Sequence, residues 1–170
     1  HNVIVSYFAQ HQADELNPRN DVLGTVDEVA VGDIRKSLRN LLGCFLFSGD
    51  DVFKKVGVLS GGEKSRLALA KMLLQPCNLI VMDEPTNHLD LLALLWLQNH
   101  LRNYSGAVLL ISHDRRFMDE VVSQVHEISE KILIAYTGNY TEFLQQREER
   151  YEQQLAAYKN QQKEIAALQE

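Results

Sequence analysis

Two neighbouring carboxylates, Asp83 and Glu84, close the apolar run Leu79-Ile80-Val81-Met82. A buried strand ending in aspartate delivers it to the carboxyl edge of a sheet, where open α/β folds place ligands. There Asp83 can hold Mg²⁺ directly or through water, as hard oxygen ligands do beside phosphates. Glu84 can polarise or orient a water that attacks a terminal phosphate. A second group, Leu59-Ser60-Gly61-Gly62-Glu63, stands before a run of good helix formers. Glycine allows close backbone approach and a helix amino end favours anions, so Ser60 and the amides of Gly61 and Gly62 suit phosphate oxygens. Ser112-His113-Asp114 follows a second apolar run, Ala107 to Ile111. Taken singly, each group has a plain structural reading: an acidic strand end, a tight turn, a histidine that merely supports a loop. Their order along one chain is what points to phosphate chemistry.

The elements around these residues alternate between strand and helix. Val3 to Phe8, ending near Gln10, is β-branched and aromatic, which predicts a strand. From Asp14 to Asp27 the chain turns polar, with Pro18 and Gly24 as breakers, and Thr25 to Ala30 starts a short helix. Asp33 is expected to cap a helical segment in which Ile34, Leu38, Leu41 and Leu42 recur at helical spacing. Residues 13–58 therefore read as a small helical subdomain, with the aromatic residues of 45–53 as its core. A helix from the Ser60-Gly61-Gly62-Glu63 group stops at Pro76. Strands at Leu79 to Met82 and Ala107 to Ile111 enclose a helix at Leu89 to Leu101. Helix Arg115 to Val122 and strands at Gln124 to Ile128 and Ile132 to Ala135 complete a mostly parallel α/β core. Beyond Gly138, Phe143 to Leu168 lacks Gly and Pro, and Leu144, Tyr151, Tyr158 and Ile165 lie seven apart, predicting a long two-faced helix or half of a coiled coil.

Size and composition narrow the classes. The 170 residues suffice for one domain with a hydrophobic core, and a net charge of −6 argues against a free-standing, non-specific nucleic-acid binder. Cys44 and Cys77, far apart and outside any CxxC, suit reduced thiols better than a disulfide scaffold or a zinc site. No apolar run approaches the length that spans a bilayer. The chain begins with His1, not Met, and moves at once into an apolar segment, so the numbering is expected to start inside a larger polypeptide.

Leu59-Ser60-Gly61-Gly62-Glu63, then Asp83-Glu84-Pro85-Thr86-Asn87-His88-Leu89-Asp90, then Ser112-His113-Asp114 together resemble the ATP-binding cassette (ABC) superfamily. The phrase from Asp83 to Asp90 is similar to the ABC-F class, soluble tandem ATPases that act on the translating ribosome. The resemblance covers nearly the whole chain. It implies a P-loop NTPase-type core: residues 1–12 end its amino-terminal part with the Q-loop, 13–58 form the helical subdomain, 59–138 carry the signature helix and the rest of the core, and 139–170 form a helical linker. It further implies that Leu59 to Glu63 are the signature loop, contacting ATP bound by the opposite cassette. Asp83 is then the Walker B carboxylate holding Mg²⁺, Glu84 the catalytic glutamate, Asp90 the D-loop aspartate and His113 the switch histidine that senses the γ-phosphate. Gln10 fits the Q-loop glutamine linking Mg²⁺ and the water to the helical subdomain, with Gln12 as its rival.

The implied setting is cytoplasmic: two cassettes, in one chain or by dimerisation, close on ATP and act on the ribosome and tRNA without direct membrane insertion. The chain departs from the family pattern in one respect, for no GxxxxGK(S/T) occurs in it. That motif supplies the amide nest and lysine for the phosphates. The isolated chain is accordingly expected to hydrolyse ATP hardly at all, the activity belonging to an intact parent. Two other readings remain: an ATP-binding subunit of a transporter, and a truncated, non-catalytic binding module. Leu46 to Phe53 resembles second cassettes while Asn139 to Glu170 resembles the linker after the first, which leaves the choice of cassette open.

Overall fold

The computed structural model describes residues 2–168; the side chains of residues 10, 11 and 166–168 are not among those described. The chain forms two compact units, residues 1–114 and 115–170.

In the first unit, strand β1 (Val5–Phe8) leads through a 3-10 turn (Gln10–Glu15) to helices α1 (Val22–Asp27) and α2 (Leu38–Cys44). Two further 3-10 turns, Gly49–Phe53 and Val56–Val58, precede helix α3 (Gly61–Leu73). Strand β2 (Leu79–Asp83), helix α4 (Leu91–Arg102) and strand β3 (Ala107–Ile111) follow. The three strands form a parallel sheet in the order β1-β2-β3, with Phe8 beside Met82 and Met82 beside Leu110. Parallel neighbours need crossovers, and here the helical segment and α4 supply them.

The pleat sorts the sheet's side chains onto two faces. Ser6, Phe8, Ile80 and Met82 are buried on one, and the Ser6 hydroxyl donates to the Met72 carbonyl of α3 at 3.5 Å. On the other, Val5, Tyr7, Leu109 and Ile111 stay exposed. A parallel sheet is normally covered on both faces, and among the described residues this one is covered on one side only.

Within residues 13–58, Val22, Val26, Leu42, Phe45, Phe47, Val52 and Val56 are buried. The local structure of this segment departs from the sequence reading in three places: the short helix expected from Thr25 to Ala30 runs Val22–Asp27, Phe53 is exposed and not in the core, and the segment expected to be capped by Asp33 takes a tighter form. Residues 32–37 form a 3-10 turn, and Asp33 lies in its first turn without capping it; its carboxylate pairs instead with Lys36 at 2.7 Å. Gly32, at φ 67°, sets the chain's entry into this turn. In α4, Ala93, Leu97 and Leu101 recur every fourth residue and are buried. Trp96 meets Phe45 edge-on at 5.3 Å and stacks on His100 at 5.0 Å. Burial pushes the His100 imidazole below the usual value.

The second unit comprises helix α5 (Arg115–Val121), the antiparallel strands β4 (Gln124–Ser129) and β5 (Ile132–Thr137), and helix α6 (Tyr140–Leu168). α6 is fastened at its start. The Thr141 amide and hydroxyl both donate to Asp119 at 2.7 Å, Arg147 pairs with Glu127 at 2.9 Å, and Arg150 donates to the Tyr136 hydroxyl at 3.1 Å. Further along, Tyr151, Tyr158 and Ile165 of the expected heptad stripe are exposed.

The β4–β5 loop holds only Glu130 and Lys131, at φ 49° and 67°. Two-residue hairpins with positive φ at both positions are type I′, for which Asn-Gly is the favoured pair. Replacing Glu130 with Asn and Lys131 with Gly should therefore stabilise the hairpin unit by about 1 kcal/mol. Urea unfolding of the double variant against the parent checks this, and an unchanged or lower midpoint would contradict it.

Candidate functional site

Because β1, β2 and β3 run parallel, their carboxyl ends share one edge, and the chain leaves that edge at residue 9, at Glu84 and at Ser112. Asp83 ends β2 beside Ile111, half-buried. Glu84 takes a left-handed backbone, φ 50°, while its amide donates to the Ile111 carbonyl at 2.9 Å. That conformation costs a non-glycine residue of order 1–3 kcal/mol, and such residues cluster at functional sites. It turns the carboxylate toward the chain leaving β3. Glu84 Oε2 accepts from the His113 amide at 3.3 Å, and Oε1 lies 3.5 Å from His113 Nε2. Yet Oε1 is buried without a hydrogen-bond partner among the described residues. The two observations agree if 3.5 Å is read as proximity and not as a bond. The glutamate side chain is 14% exposed and the histidine side chain 97%, so a shielded carboxylate sits behind an imidazole that faces solvent.

A buried carboxylate oxygen without a donor fits a partner from outside the chain, such as a water to be held or deprotonated. Among the described residues no three His, Cys, Asp or Glu converge as a metal cage. Mg²⁺ does not require one, since it is commonly held by one or two carboxylates with water and phosphate oxygens completing its octahedron. Asp83 at the strand end fits that demand.

The loop after Glu84 turns tightly. The Asn87 amide donates to the Glu84 carbonyl at 3.3 Å and the Leu89 amide to Thr86 at 3.2 Å. His88 lies at φ 67°, in the left-handed region. Asp90 ends the loop as the amino cap of α4, accepting from the Ala93 amide at 2.9 Å.

The Leu59–Glu63 group begins α3 through a capping box. The Ser60 hydroxyl accepts from the Glu63 amide at 3.3 Å, and Glu63 Oε2 accepts from the Ser60 amide at 2.8 Å and from its hydroxyl at 2.7 Å. Those bonds to Ser60 hold the Glu63 carboxyl below its ordinary range. Leu59 is buried. A Cβ at Gly61 would meet nothing within 4 Å, so neither packing nor backbone conformation within the chain demands glycine there. Glycine leaves that amide surface open to an approaching ligand. Gly62 faces His88, whose Cβ is 3.7 Å from where a Gly62 Cβ would stand. The structure thus brings the α3 start against the 84–90 loop and joins Glu84 to His113.

Gln10 opens the 3-10 turn two residues beyond β1, at the same sheet edge, but its side chain lies outside the described residues. The Gln12 amide is occupied by the Tyr7 carbonyl. Sequence reasoning missed Arg66, which reaches the His88 carbonyl at 3.3 Å from the second turn of α3. Its partners are backbone carbonyls, which leave no mark in the sequence.

Comparison with known proteins places the chain in a family and a fold. A family model described as ABC transporter matches residues 2–87, about half of the chain, and a second model of the same description matches residues 126–170. The chain belongs to the ABC transporter family of ATP-binding cassettes. Within that family it is of the F class, being 41% identical over 145 residues to ABC transporter F family member 2 of Arabidopsis thaliana, a match covering 85% of this chain and 21% of that protein. YdiF of Bacillus subtilis (strain 168) is 49% identical over 133 residues, covering 78% of this chain and 21% of the relative. YheS of Escherichia coli (strain K12) is 40% identical over 164 residues, covering 93% and 26%. The chain thus spans about a fifth to a quarter of the length of these curated relatives.

Among solved structures, a dimeric ATP-binding cassette in a post-hydrolysis state with ADP and Pi matches with a TM-score of 0.59 and 19% identity, covering 79% of this chain and 63% of that one. An archaeal ribosome recycling factor, solved with a ribosomal stalk protein, matches with a TM-score of 0.61 and 22% identity, covering 79% and 27%. These establish an α/β fold of the ABC ATPase, P-loop NTPase type. No helix among the described residues is long and apolar enough to cross a membrane.

The capping box supplies a pH-dependent prediction. Replacing Ser60 with Ala should cost about 1 kcal/mol near neutral pH. A carboxyl whose folded value is depressed stabilises the fold above its unfolded value, and that contribution fades as pH falls through the folded one. The Ser60→Ala deficit should therefore shrink once pH drops below the ordinary glutamate range of about 4. Urea unfolding of both proteins at neutral and acid pH measures the difference; a deficit that holds constant would exclude the Glu63 partnership.

Proposed function

We propose that this chain is the hydrolysing and signature-bearing part of an ABC-F cassette, in a protein that couples ATP-driven closure of two cassettes to action on the ribosome. The observation that carries the reading is Glu84: a shielded carboxylate at the carboxyl edge of a parallel sheet, with one oxygen bonded to the His113 amide and the other lacking a donor among the described residues. Such an oxygen is suited to accept a proton from, or to orient, the attacking water.

In this reading Asp83 holds Mg²⁺, which when bound neutralises charge on the phosphate oxygens. His113, its imidazole free in solvent, meets the γ-phosphate and reports its loss through the amide bonded to Glu84. Gln10, at the same edge, links the water and metal to residues 13–58. Ser60, with the amides of Gly61 and Gly62, faces ATP held by the second cassette, Leu59 anchors that loop in the core and Glu63 fixes its cap. Asp90 sets the start of α4 next to the cassette interface. The phosphate cradle is not made by these residues, which contain no GxxxxGK(S/T), and is supplied by the rest of the polypeptide. Support for ribosomal action comes from the F-class similarity, the Asn87-His88 pair in the Walker B extension and the long helix α6. The linker then approaches tRNA, and the protein works in the cytoplasm.

The test is ATP hydrolysis by the full-length gene product and by its Glu84→Gln variant, with ribosome co-sedimentation in parallel. Loss of the base should slow turnover about 100-fold or more while ATP binding persists. The variant, trapped closed, should sediment with ribosomes in the presence of ATP. Equal turnover in both proteins would remove Glu84 from the chemistry, and absence of hydrolysis in the parent would favour a non-catalytic module.

A further inference from the structure

Arg66 occupies the second turn of α3, beyond the Leu59–Glu63 group. Its Nε donates to the Phe45 carbonyl at 3.2 Å, its Nη1 donates to the His88 carbonyl at 3.3 Å, and its cation lies 5.9 Å from the centre of the Phe47 ring. The two carbonyls belong to segments remote in sequence. Phe45 caps the end of α2 in the helical segment, and His88 lies in the loop that begins at Glu84 and ends at Asp90.

Both contacts fall at backbone outliers. Leu46, the residue after Phe45, has φ 65°, and His88 has φ 67°. Left-handed leucine and histidine persist only where their surroundings over-determine them. A planar guanidinium presents its donors in a fixed fork, so one side chain can bridge two acceptors at a set separation. An ammonium on a flexible stem cannot impose that separation. Gly62 completes the contact, since a Cβ there would lie 3.7 Å from the His88 Cβ and 3.8 Å from Arg66 Nη1. The first turns of α3, the 84–90 loop and the Phe45–Leu46 turn thus form one packed junction.

We infer that Arg66 is a positioning residue that couples the 84–90 loop to the Phe45–Leu46 turn, so that displacement of the loop is transmitted to the helical segment. The guanidinium cannot follow the His88 carbonyl without changing its bond to Phe45. This deepens the proposed function and rests on it for its purpose: the loop carries the Glu84 base at one end and the α4 cap at the other. A change at the γ-phosphate would then reach the helical segment through one side chain. The coupling itself is a property of the fold and can be tested without nucleotide.

The experiment is a two-by-two set of variants of the full-length gene product. His88→Gly relaxes the left-handed residue, and Arg66→Lys keeps the charge and the cation near Phe47 while removing the fork. Hydrogen exchange, read by mass spectrometry, follows the amides of Leu46 and Phe47. With Arg66 present, His88→Gly should change their exchange rates about tenfold, the scale expected from altering a local strain. In the Arg66→Lys background it should leave them unchanged, and Arg66→Gln should behave as Arg66→Lys. An equal response in all backgrounds, or no response with Arg66 present, overturns the coupling. Turnover separates this from the wider reading: in a parent that hydrolyses ATP, Arg66→Lys should lower kcat with KM unchanged. A parent without hydrolysis defeats the ATPase assignment, while the exchange result still decides the coupling.

Discussion

The amide of Glu84 donates to the carbonyl of Ile111 while the Glu84 backbone sits in the left-handed region. An ordinary β continuation would carry β2 onward and send the next side chain across the sheet. The reversal at Glu84 instead ends the strand, keeps the ladder to β3 for one more bond and aims the carboxylate along the sheet edge. The bond to the His113 amide follows from that direction, as does the tight turn through Pro85 to Asp90 that starts α4. Strain at one residue is offset by hydrogen bonds on both sides of it, which is how an over-determined site keeps an unfavourable torsion.

The same economy recurs at the start of α3. Ser60 and Glu63 satisfy each other's orphan groups without drawing on a partner elsewhere. The helix can therefore begin at an open surface, with Gly61 unobstructed. Behind that surface, Leu67, Leu69, Ala70 and Leu73 are buried. The helix is held by its second half, and its first turn is left for contact. Burial of the apolar half provides the larger share of the stability, at roughly 25 cal/mol per Å², while the cap sets where the helix begins.

Much of this was legible in the residues. Strand β3 falls on the five residues expected of it, because a short apolar run between Gly106 and Ser112 has few other solutions. The start of a helix just after Ser60 and the carboxylates at the end of β2 were equally clear, since their signals are local. Three features were not. Residues 32–37 satisfy a helical spacing yet form a tighter turn, because left-handed Gly32 and the Asp33–Lys36 pair decide the local geometry. The Trp96–His100 stack could have been seen from its four-residue separation on α4. Arg66 could not, because its partners are backbone carbonyls 21 and 22 residues away, and every residue type has a carbonyl. The open sheet face follows from the pairing: the sequence reveals that β2 is apolar, whereas register and packing determine which alternate residues meet a helix.

The fastening of α6 has a mechanical consequence. Asp119, Glu127 and Tyr136 grip Thr141, Arg147 and Arg150 within the helix's first three turns. The remainder of the 29-residue helix projects beyond that grip with its tyrosines in the open. At 1.5 Å per residue the whole rod is roughly 43 Å long. A tilt of about 10° at its root would sweep the tip through about 7 Å. The clamp makes the helix a lever: small rotations of the hairpin and α5 become displacements the size of a nucleotide base at its far end, and the stiffness of those few bonds sets how much of each rotation arrives there.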